Sequence, residues 1–100
     1  MENVHRAALR QNWIFLMDNL VMQELVDKLY EKGLLTDDMK EEIQVERTKR
    51  DQISKFLSIL QRRGPYAFEN FIYALKETSQ EFIAEKLLES VKRSSYQQNW

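Results

Sequence analysis

Apolar residues recur at helical spacing along almost the whole chain, and very few residues interrupt them. In the first segment one stripe, at i, i+4, i+7 and i+11, consists of Leu9, Trp13, Leu16 and Leu20. The 100 residues include two glycines and one proline, so helices can continue for several turns without a residue that breaks them. A chain of this length, 43% hydrophobic and 31% charged, has room for one core. The pattern predicts a single all-α domain.

Six such stripes divide the chain into six predicted helices joined by short connections. After the first stripe, the residues that we expect in the core are Met22, Leu25, Val26, Leu29, Met39, Ile43, Ile53, Phe56, Leu57, Leu60, Phe68, Phe71, Ile72, Leu75, Phe82, Ile83, Leu87 and Val91. The polar pair Gln11 and Asn12 interrupts the first stripe and indicates a bend or break in the first helix. Helices of about 9–15 residues with short connections predict a compact antiparallel bundle.

Residues that favour helix ends mark several of the boundaries. Gly33 is placed to end the second helix, and Thr36 is placed to cap the third. Gly64 is placed to end the fourth helix, and Pro65 is expected at the first position of the fifth, where a missing N–H costs no hydrogen bond. Thr78 begins a Thr-Ser-Gln-Glu sequence with the spacing of a capping box for the sixth helix.

Side chains that support catalysis or metal binding are rare in this sequence. It has no cysteine and one histidine, which excludes disulfides, thiolate metal sites and a cysteine nucleophile within these residues. His5 has no clear partner and is predicted to be a solvated residue of the first turn. Neither a GxxxxGK nor a GxGxxG sequence is present, and the acidic residues at 37–42 lack the spacing of a calcium loop. We therefore expect a non-enzymatic domain with no cofactor and no metal.

Charge is unevenly distributed along the chain, although the formal net charge is −1. Residues 18–46 contain nine Asp or Glu and three Lys, whereas residues 47–63 contain six Lys or Arg and one Asp. A body with an acidic and a basic face can dock on a copy or a relative of itself in a head-to-tail contact. The plainer alternative is that the acidic helices simply present solvated faces. DNA binding by residues 47–63 is a weaker alternative, because no groove-reading motif accompanies them.

No targeting signal or membrane segment is evident. The first twenty residues lack the long apolar run of a signal peptide, and charges interrupt every later segment before it reaches the roughly 20 apolar residues of a membrane span. We therefore expect a cytoplasmic location, with the nucleus as a second option. Residues 94–100 are polar apart from Tyr96 and Trp100, so we assign the domain to residues 1–93 and expect residues 94–100 to fray or to begin a linker.

Three stretches in a fixed order carry a family resemblance: HRAALRQNWIFLMDNL, LVDKLYEKGLLTDDMKEEIQ and LQRRGPYAFENFIYALKET. Over residues 4–91 the chain resembles the caspase recruitment domain (CARD) of the death-fold superfamily. It is most similar to the N-terminal prodomains of initiator caspases of the caspase-two and caspase-nine type. The resemblance implies a six-helix Greek-key bundle with a bent or broken first helix. It also implies a homotypic interaction module that recruits and clusters an initiator procaspase on an adaptor or scaffold in apoptotic signalling.

The resemblance further implies which charged residues meet the partner, which would be the CARD of an adaptor or scaffold, or another copy of the chain. In the family's best-known pairing, basic residues of helices one and four meet acidic residues of helices two and three. The implied basic side is Arg10, Lys49, Arg50, Lys55, Arg62 and Arg63. The implied acidic side is Asp27, Glu31, Asp37, Asp38, Glu41 and Glu42. Trp13 stands where some initiator-caspase prodomains have an arginine, and Ser54 stands at a commonly basic position of the fourth helix. The basic side is therefore thinner here than in the caspase-nine type.

Two alternatives to the leading hypothesis stay open at this point. One is a stand-alone CARD that acts as an adaptor or decoy and regulates caspase activation through the same surface. The other is a small helical DNA-binding domain; under the leading hypothesis neither nucleic acid nor a membrane is a partner. For Arg62 and Arg63, interaction with the carbonyl end of the fourth helix is an alternative to partner binding. The resemblance implies no catalysis in this domain, whereas the parent chain of a prodomain would be a cysteine protease.

Overall fold

Seven α-helices form a bundle in the computed structural model, which describes the backbone of residues 1–97 and the side chains of residues 1–94. The helices are α1 (Asn3–Gln11), α2 (Trp13–Asn19), α3 (Gln23–Glu31), α4 (Asp37–Gln44), α5 (Lys49–Leu60), α6 (Ala67–Glu77) and α7 (Glu81–Gln97). Residues 1–97 contain no strand, which confirms the all-α prediction. The predicted first helix corresponds to α1 and α2 together, and the other five correspond to α3 to α7.

The interruption between α1 and α2 lies at Asn12, within the predicted polar pair. The Asn12 side-chain amide donates to the Ala8 carbonyl and to the Ser90 hydroxyl of α7, both at 2.8 Å. Helical backbone hydrogen bonds nevertheless continue through this residue, from the Asn12 N–H to Ala8 and from the Leu16 N–H to Asn12. The break is therefore a local distortion at which the Asn12 side chain attaches the first two helices to α7.

The core consists of the inward faces of all seven helices. Phe56 of α5 and Phe71 of α6 are fully buried and meet edge to face, with ring centroids 5.4 Å apart. Most of the predicted core residues are buried, and Trp13, Met39 and Val91 are partly buried against the core. Phe82 is an exception and the prediction for it is wrong: its side chain is 53% exposed. It lies in the first turn of α7, where the next residue, Ile83, takes the inward direction.

The packing of the helices brings charged segments next to one another. The main helix pairs are α1 with α7, α6 with α7, α4 with α5, α3 with α6 and α2 with α5. Contact between α2 and α5 places the end of the predicted first helix beside the start of the basic segment. Among residues 1–97 no helix is both long and apolar enough to span a membrane.

Two predicted helix ends are confirmed. The Thr36 hydroxyl accepts the Met39 N–H at 3.2 Å at the start of α4, and Gly33 follows α3 with a φ of 81°, a positive value that suits glycine. Gly64 also has a positive φ, 91°, but the prediction that it ends the fourth helix is wrong, because α5 ends at Leu60. Pro65 was predicted at the first position of α6, and this is wrong because α6 begins at Ala67. The Ala67 N–H donates to the Gly64 carbonyl at 3.4 Å, so Pro65 lies in a turn that favours its fixed φ.

The predicted capping box at Thr78 is also wrong. Thr78 ends α6, and its hydroxyl donates to the Ala74 carbonyl at 2.9 Å. Ser79 then takes a left-handed conformation with φ 63°, and Gln80 is the residue directly before α7. The Gln80 side chain, only 5% exposed, pairs with the backbone of Val21 in the turn between α2 and α3. A buried amide therefore joins two turns at the position where we expected a local cap.

The last helix is longer than predicted. It reaches Gln97 and so includes the first four residues of the predicted tail, 94–97. Residues 98–100 of that tail lie outside the described residues. The domain boundary at residue 93 stays a prediction.

Candidate functional site

An apolar groove on the described surface shows no catalytic arrangement. It has a volume of about 310 Å³, lies between α1, α6 and α7, and is lined by His5, Phe68, Glu69, Ile72, Tyr73, Lys76, Leu88 and Val91. No serine, threonine or cysteine is among these residues. Across the described residues, no group of three or more histidine, aspartate or glutamate side chains is arranged to hold a metal ion.

His5 is not the solvated residue that we predicted. Its side chain is 12% exposed, and its ring stacks on Phe68 with centroids 4.2 Å apart and planes 4° from parallel. Nε2 lies 3.8 Å from a carboxylate oxygen of Glu69, and the buried Nδ1 has no hydrogen-bond partner among the described atoms. The histidine therefore packs α1 against α6.

The basic residues of the predicted docking side lie on α1, on α5 and just after α5. The Arg6 guanidinium donates to the Gln61 carbonyl at 3.4 Å, so α1 lies next to the C-terminal end of α5. Arg10 and Gln61 line one groove of about 370 Å³ at this end. At the other end of α5, the Arg50 guanidinium lies 3.4 Å from the Asp18 carboxylate of α2. The α1–α2 segment and α5 therefore run antiparallel, with Arg10 towards one end of their shared surface and Arg50 towards the other.

Three of the predicted basic residues are engaged within the domain. The Arg63 Nε donates to the Leu34 carbonyl at 2.8 Å, and this holds the turn between α3 and α4 against the end of α5. Lys55 Nζ lies 4.0 Å from the Glu46 carboxylate, and Arg50 pairs with Asp18. By contrast Arg10, Lys49 and Arg62 are exposed and make no ion pair with any described residue.

On the acidic side the free charges are concentrated on one helix. Asp27 of α3 pairs with Lys40 at 3.4 Å, and Glu31 of α3 pairs with Lys28 at 3.6 Å. The predicted acidic residues that are exposed and form no ion pair within residues 1–94 are Asp37, Asp38, Glu41 and Glu42, all on α4. The surface of α4 is therefore the more available part of the acidic side.

Asp37 differs from the other three because it accepts a hydrogen bond. The Tyr30 hydroxyl donates to its carboxylate at 2.5 Å. This hydrogen bond, followed by the negative charge of Asp37, raises the pKa of the Tyr30 hydroxyl above its ordinary value. The contact ties the start of α4 to α3, and the unshared acidic charge is left on Asp38, Glu41 and Glu42.

Two exposed apolar residues on these surfaces escaped the sequence reasoning. Ile14 of α2 is 64% exposed, and Val45, directly after α4, is 67% exposed. A signal was present for Ile14, since it lies four residues after Arg10 and off the apolar stripe of its helix. Asp18 was counted only as part of the acidic region, whereas the structure places it beside Arg50.

An all-α bundle with separate basic and acidic surfaces and no catalytic constellation among its described residues is typical of an interaction domain. The family model described as "Caspase recruitment domain" matches residues 6–90. The chain therefore belongs to the caspase recruitment domain family, and this confirms the predicted resemblance.

Two relatives place the chain among caspase-like sequences. It is 39% identical to caspase-2 of Gallus gallus over 90 residues, which are 90% of this chain and 21% of that protein. It is 30% identical to cell death protein 3 of Caenorhabditis remanei over 84 residues, which are 84% of this chain and 16% of that protein. The chain thus spans about a fifth, or less, of the length of these two relatives.

Proposed function

We propose that this CARD is a homotypic docking module that recruits and clusters an initiator procaspase on the CARD of an adaptor or scaffold in apoptotic signalling. The observation that carries the proposal is the separation of free acidic charge on α4 from basic charge on α1 and α5. The similarity to caspase-2 and to cell death protein 3 supports the apoptotic setting. A cytoplasmic location is part of the proposal, with the nucleus as a second site of action.

In the proposed contact, the basic side of one domain faces the acidic side of its partner. Arg10, Lys49 and Arg50 meet Asp38, Glu41 and Glu42, which are all exposed. An exposed ion pair contributes only about 0–1 kcal/mol, so several pairs must form together. Their combined field steers the encounter and disfavours partners with the wrong charge.

In this proposal the basic side of one domain engages one neighbour and its acidic side engages another. A head-to-tail contact of this kind leaves one unoccupied docking side at each end of the assembly, so further copies can be added. The domain itself performs no chemistry in this proposal. Clustering acts by raising the effective concentration of an attached protease domain, which makes contact between two protease domains more frequent.

The proposal includes the topology that is typical of the family. Taken as one bent helix, α1 and α2 would be the first of six helices in a Greek-key bundle, and residues 1–93 would be the domain. The hydrogen bonds that continue through Asn12 support treating α1 and α2 as one bent element.

Light scattering at two salt concentrations tests the electrostatic docking. The purified domain is measured alone and with the purified CARD of each candidate adaptor, at about 0.1 M and about 1 M NaCl. The Debye length falls from about 10 Å to about 3 Å over this range, so the mass of any complex should fall towards that of the free domains. A complex with the same mass at both salt concentrations would contradict docking by exposed charges.

Removing the Asp18 carboxylate should strengthen partner binding. Asp18 holds the Arg50 guanidinium at 3.4 Å and so competes with the acidic side of a partner for the same charge. Asp18→Asn frees Arg50, and we expect affinity to rise by up to about fivefold, the equivalent of about 1 kcal/mol for an exposed pair. The measurement is a binding titration at low salt.

Asp51→Asn is the matched control for this variant. Asp51 is also exposed and directly follows Arg50, but its carboxylate makes no ion pair with the described residues. The two variants change the net charge equally. Equal gains in affinity from both would show that net charge matters rather than the release of Arg50.

A further inference from the structure

Each charged side has an exposed aliphatic side chain close to its charged residues. Ile14 and Val45 are 64% and 67% exposed, more than any other large aliphatic side chain among the described residues. A single exposed apolar residue is ordinary on a protein surface. The positions of these two within the charge pattern are what distinguish them.

Ile14 lies on the outer stripe of the α1–α2 segment. It follows Arg10 by four residues and precedes Asp18 by four, and both of these neighbours are exposed. Arg10 and Ile14 lie on either side of the interruption at Asn12, where the Asn12 N–H bonds to Ala8 and the Leu16 N–H bonds to Asn12. Since Asp18 contacts Arg50, Ile14 is placed between the two basic residues, Arg10 and Arg50, that the proposed function uses.

Val45 occupies the corresponding place on the acidic side. Its N–H donates to the Glu41 carbonyl at 3.0 Å, so it continues the register of α4. It therefore lies on the side that carries Glu41 and Glu42, four and three residues earlier. Exposed Arg47 follows two residues later.

We infer that a second copy of this chain docks with its Val45 against Ile14, an inference that rests on the proposed head-to-tail docking. Arg10 precedes Ile14 on the basic side, and Glu41 precedes Val45 on the acidic side, so the two sides carry opposite charges next to their aliphatic residues. Ile14 follows Arg10 by four residues and Val45 follows Glu41 by four residues, a distance of about 6 Å along a helix in both cases. Arg10 therefore meets Glu41 in the same register that brings Ile14 onto Val45.

The proposed partner is a second copy because the two complementary surfaces, one with Arg10 and Ile14 and the other with Glu41 and Val45, both belong to this chain. The contact between the two aliphatic side chains contributes a favourable free energy of association that salt does not screen. Covering Ile14 and Val45 also removes water from the surrounding ion pairs, which then interact in a less polar environment. The charges orient the two copies, and the aliphatic pair lengthens the lifetime of the complex.

Two neutral substitutions test this contact without changing any charge. Ile14→Gln and Val45→Gln should each weaken self-association by at least about tenfold, measured by sedimentation velocity at low salt. Both side chains are exposed, so the fold should be unaffected, and circular dichroism checks this. Val21→Gln is the matched control, since Val21 is 52% exposed in the turn between α2 and α3 and should assemble like the unmodified chain.

Mixing the two variants tests whether the residues face each other across one interface. Each variant alone should be monomeric at a concentration where the unmodified chain assembles. The Ile14→Gln chain keeps an intact α4 surface, and the Val45→Gln chain keeps an intact α1–α2 surface. The mixture should therefore form a dimer with one copy of each and grow no further. A mixture that stays monomeric would overturn the inference, as would an unmodified chain that is monomeric up to about 1 mM, the weak end of specific association.

The experiment separates this inference from the proposed function. If Arg50→Glu prevents association while both glutamine variants assemble normally, charge docking stands and the aliphatic contact is refuted. If the unmodified chain binds an adaptor CARD but never itself, the second copy is refuted as the occupant and adaptor recruitment stands.

Discussion

Arg50→Glu is expected to abolish binding of this CARD to its partners while leaving the helical fold intact. Arg50 is exposed at the start of α5 and contacts Asp18 of α2 at 3.4 Å. The substitution removes a central positive charge of the basic side and places a carboxylate next to Asp18. The acidic side of a partner would then face two like charges, and such contacts cost several kcal/mol. We expect affinity to fall at least about hundredfold, which corresponds to about 2.7 kcal/mol.

The fold should tolerate this reversal. A substitution at an exposed position usually changes stability by less than about 0.5 kcal/mol. An acidic residue in the first turn of α5 also interacts favourably with the positive end of the helix dipole. Circular dichroism and the melting temperature should therefore match those of the unmodified chain.

Lys92→Glu is the matched control for the loss of binding. Lys92 is exposed on α7 and forms no ion pair with the described residues, and its reversal changes the net charge by the same amount. Titrations at low salt compare both variants against whichever CARD binds the unmodified chain, including a second copy. Binding by the Arg50→Glu variant at the unmodified affinity would show that the basic side is not the docking surface.

Much of the fold was accessible from the sequence because helical periodicity reports which side of each segment is buried. The stripes of α3, α5 and α6 contain the buried residues that we expected, and the polar pair at Gln11–Asn12 located the break in the first helix. Phe82 shows the limit of this signal. A stripe gives the direction of the core, but whether the first turn of a helix is covered depends on its neighbours.

The charged surfaces were accessible only in outline. Composition along the chain showed an acidic and a basic segment, but not which charges are already paired. The contacts of Arg50 with Asp18 and of Arg63 with Leu34 join residues 32 and 29 positions apart, so they depend on tertiary packing. The exposure of Ile14 and Val45 also depends on tertiary packing, since no helix within residues 1–94 covers them.

The sequence did not predict the hydrogen bonds between the Gln80 side chain and the Val21 backbone, for a related reason. A Thr-Ser-Gln-Glu sequence predicts local capping, and local patterns contain no information about a turn 59 residues away. The Gln80 Oε1 accepts the Val21 N–H at 2.8 Å, and its Nε2 donates to the Val21 carbonyl at 3.0 Å. A third hydrogen bond joins Nε2 to the Thr78 hydroxyl at 3.0 Å. One side chain therefore holds the α2–α3 turn against the α6–α7 turn.

Gln80→Leu should destabilise the domain by about 2 kcal/mol. Leucine has a similar size, so the change removes hydrogen bonds with little change in packing. A typical hydrogen bond contributes about 0.5–1.5 kcal/mol net, and partial access of water to Val21, whose side chain is 52% exposed, reduces the sum. For a chain of this length the melting temperature should fall by roughly 10 °C. Thermal unfolding followed by circular dichroism measures this.

Gln23→Leu serves as the control, because Gln23 is exposed at the start of α3 and should melt within about 2 °C of the unmodified chain. Hydrogen exchange gives a second readout that is specific to the contact. The Val21 amide should exchange slowly in the unmodified chain and rapidly in the Gln80→Leu variant, because only the glutamine carbonyl accepts its proton. Unchanged melting together with unchanged protection of Val21 would mean that the two turns do not need this residue. The docking surfaces on α1, α4 and α5 do not include Gln80, so partner affinity below the melting transition should be the same in both variants.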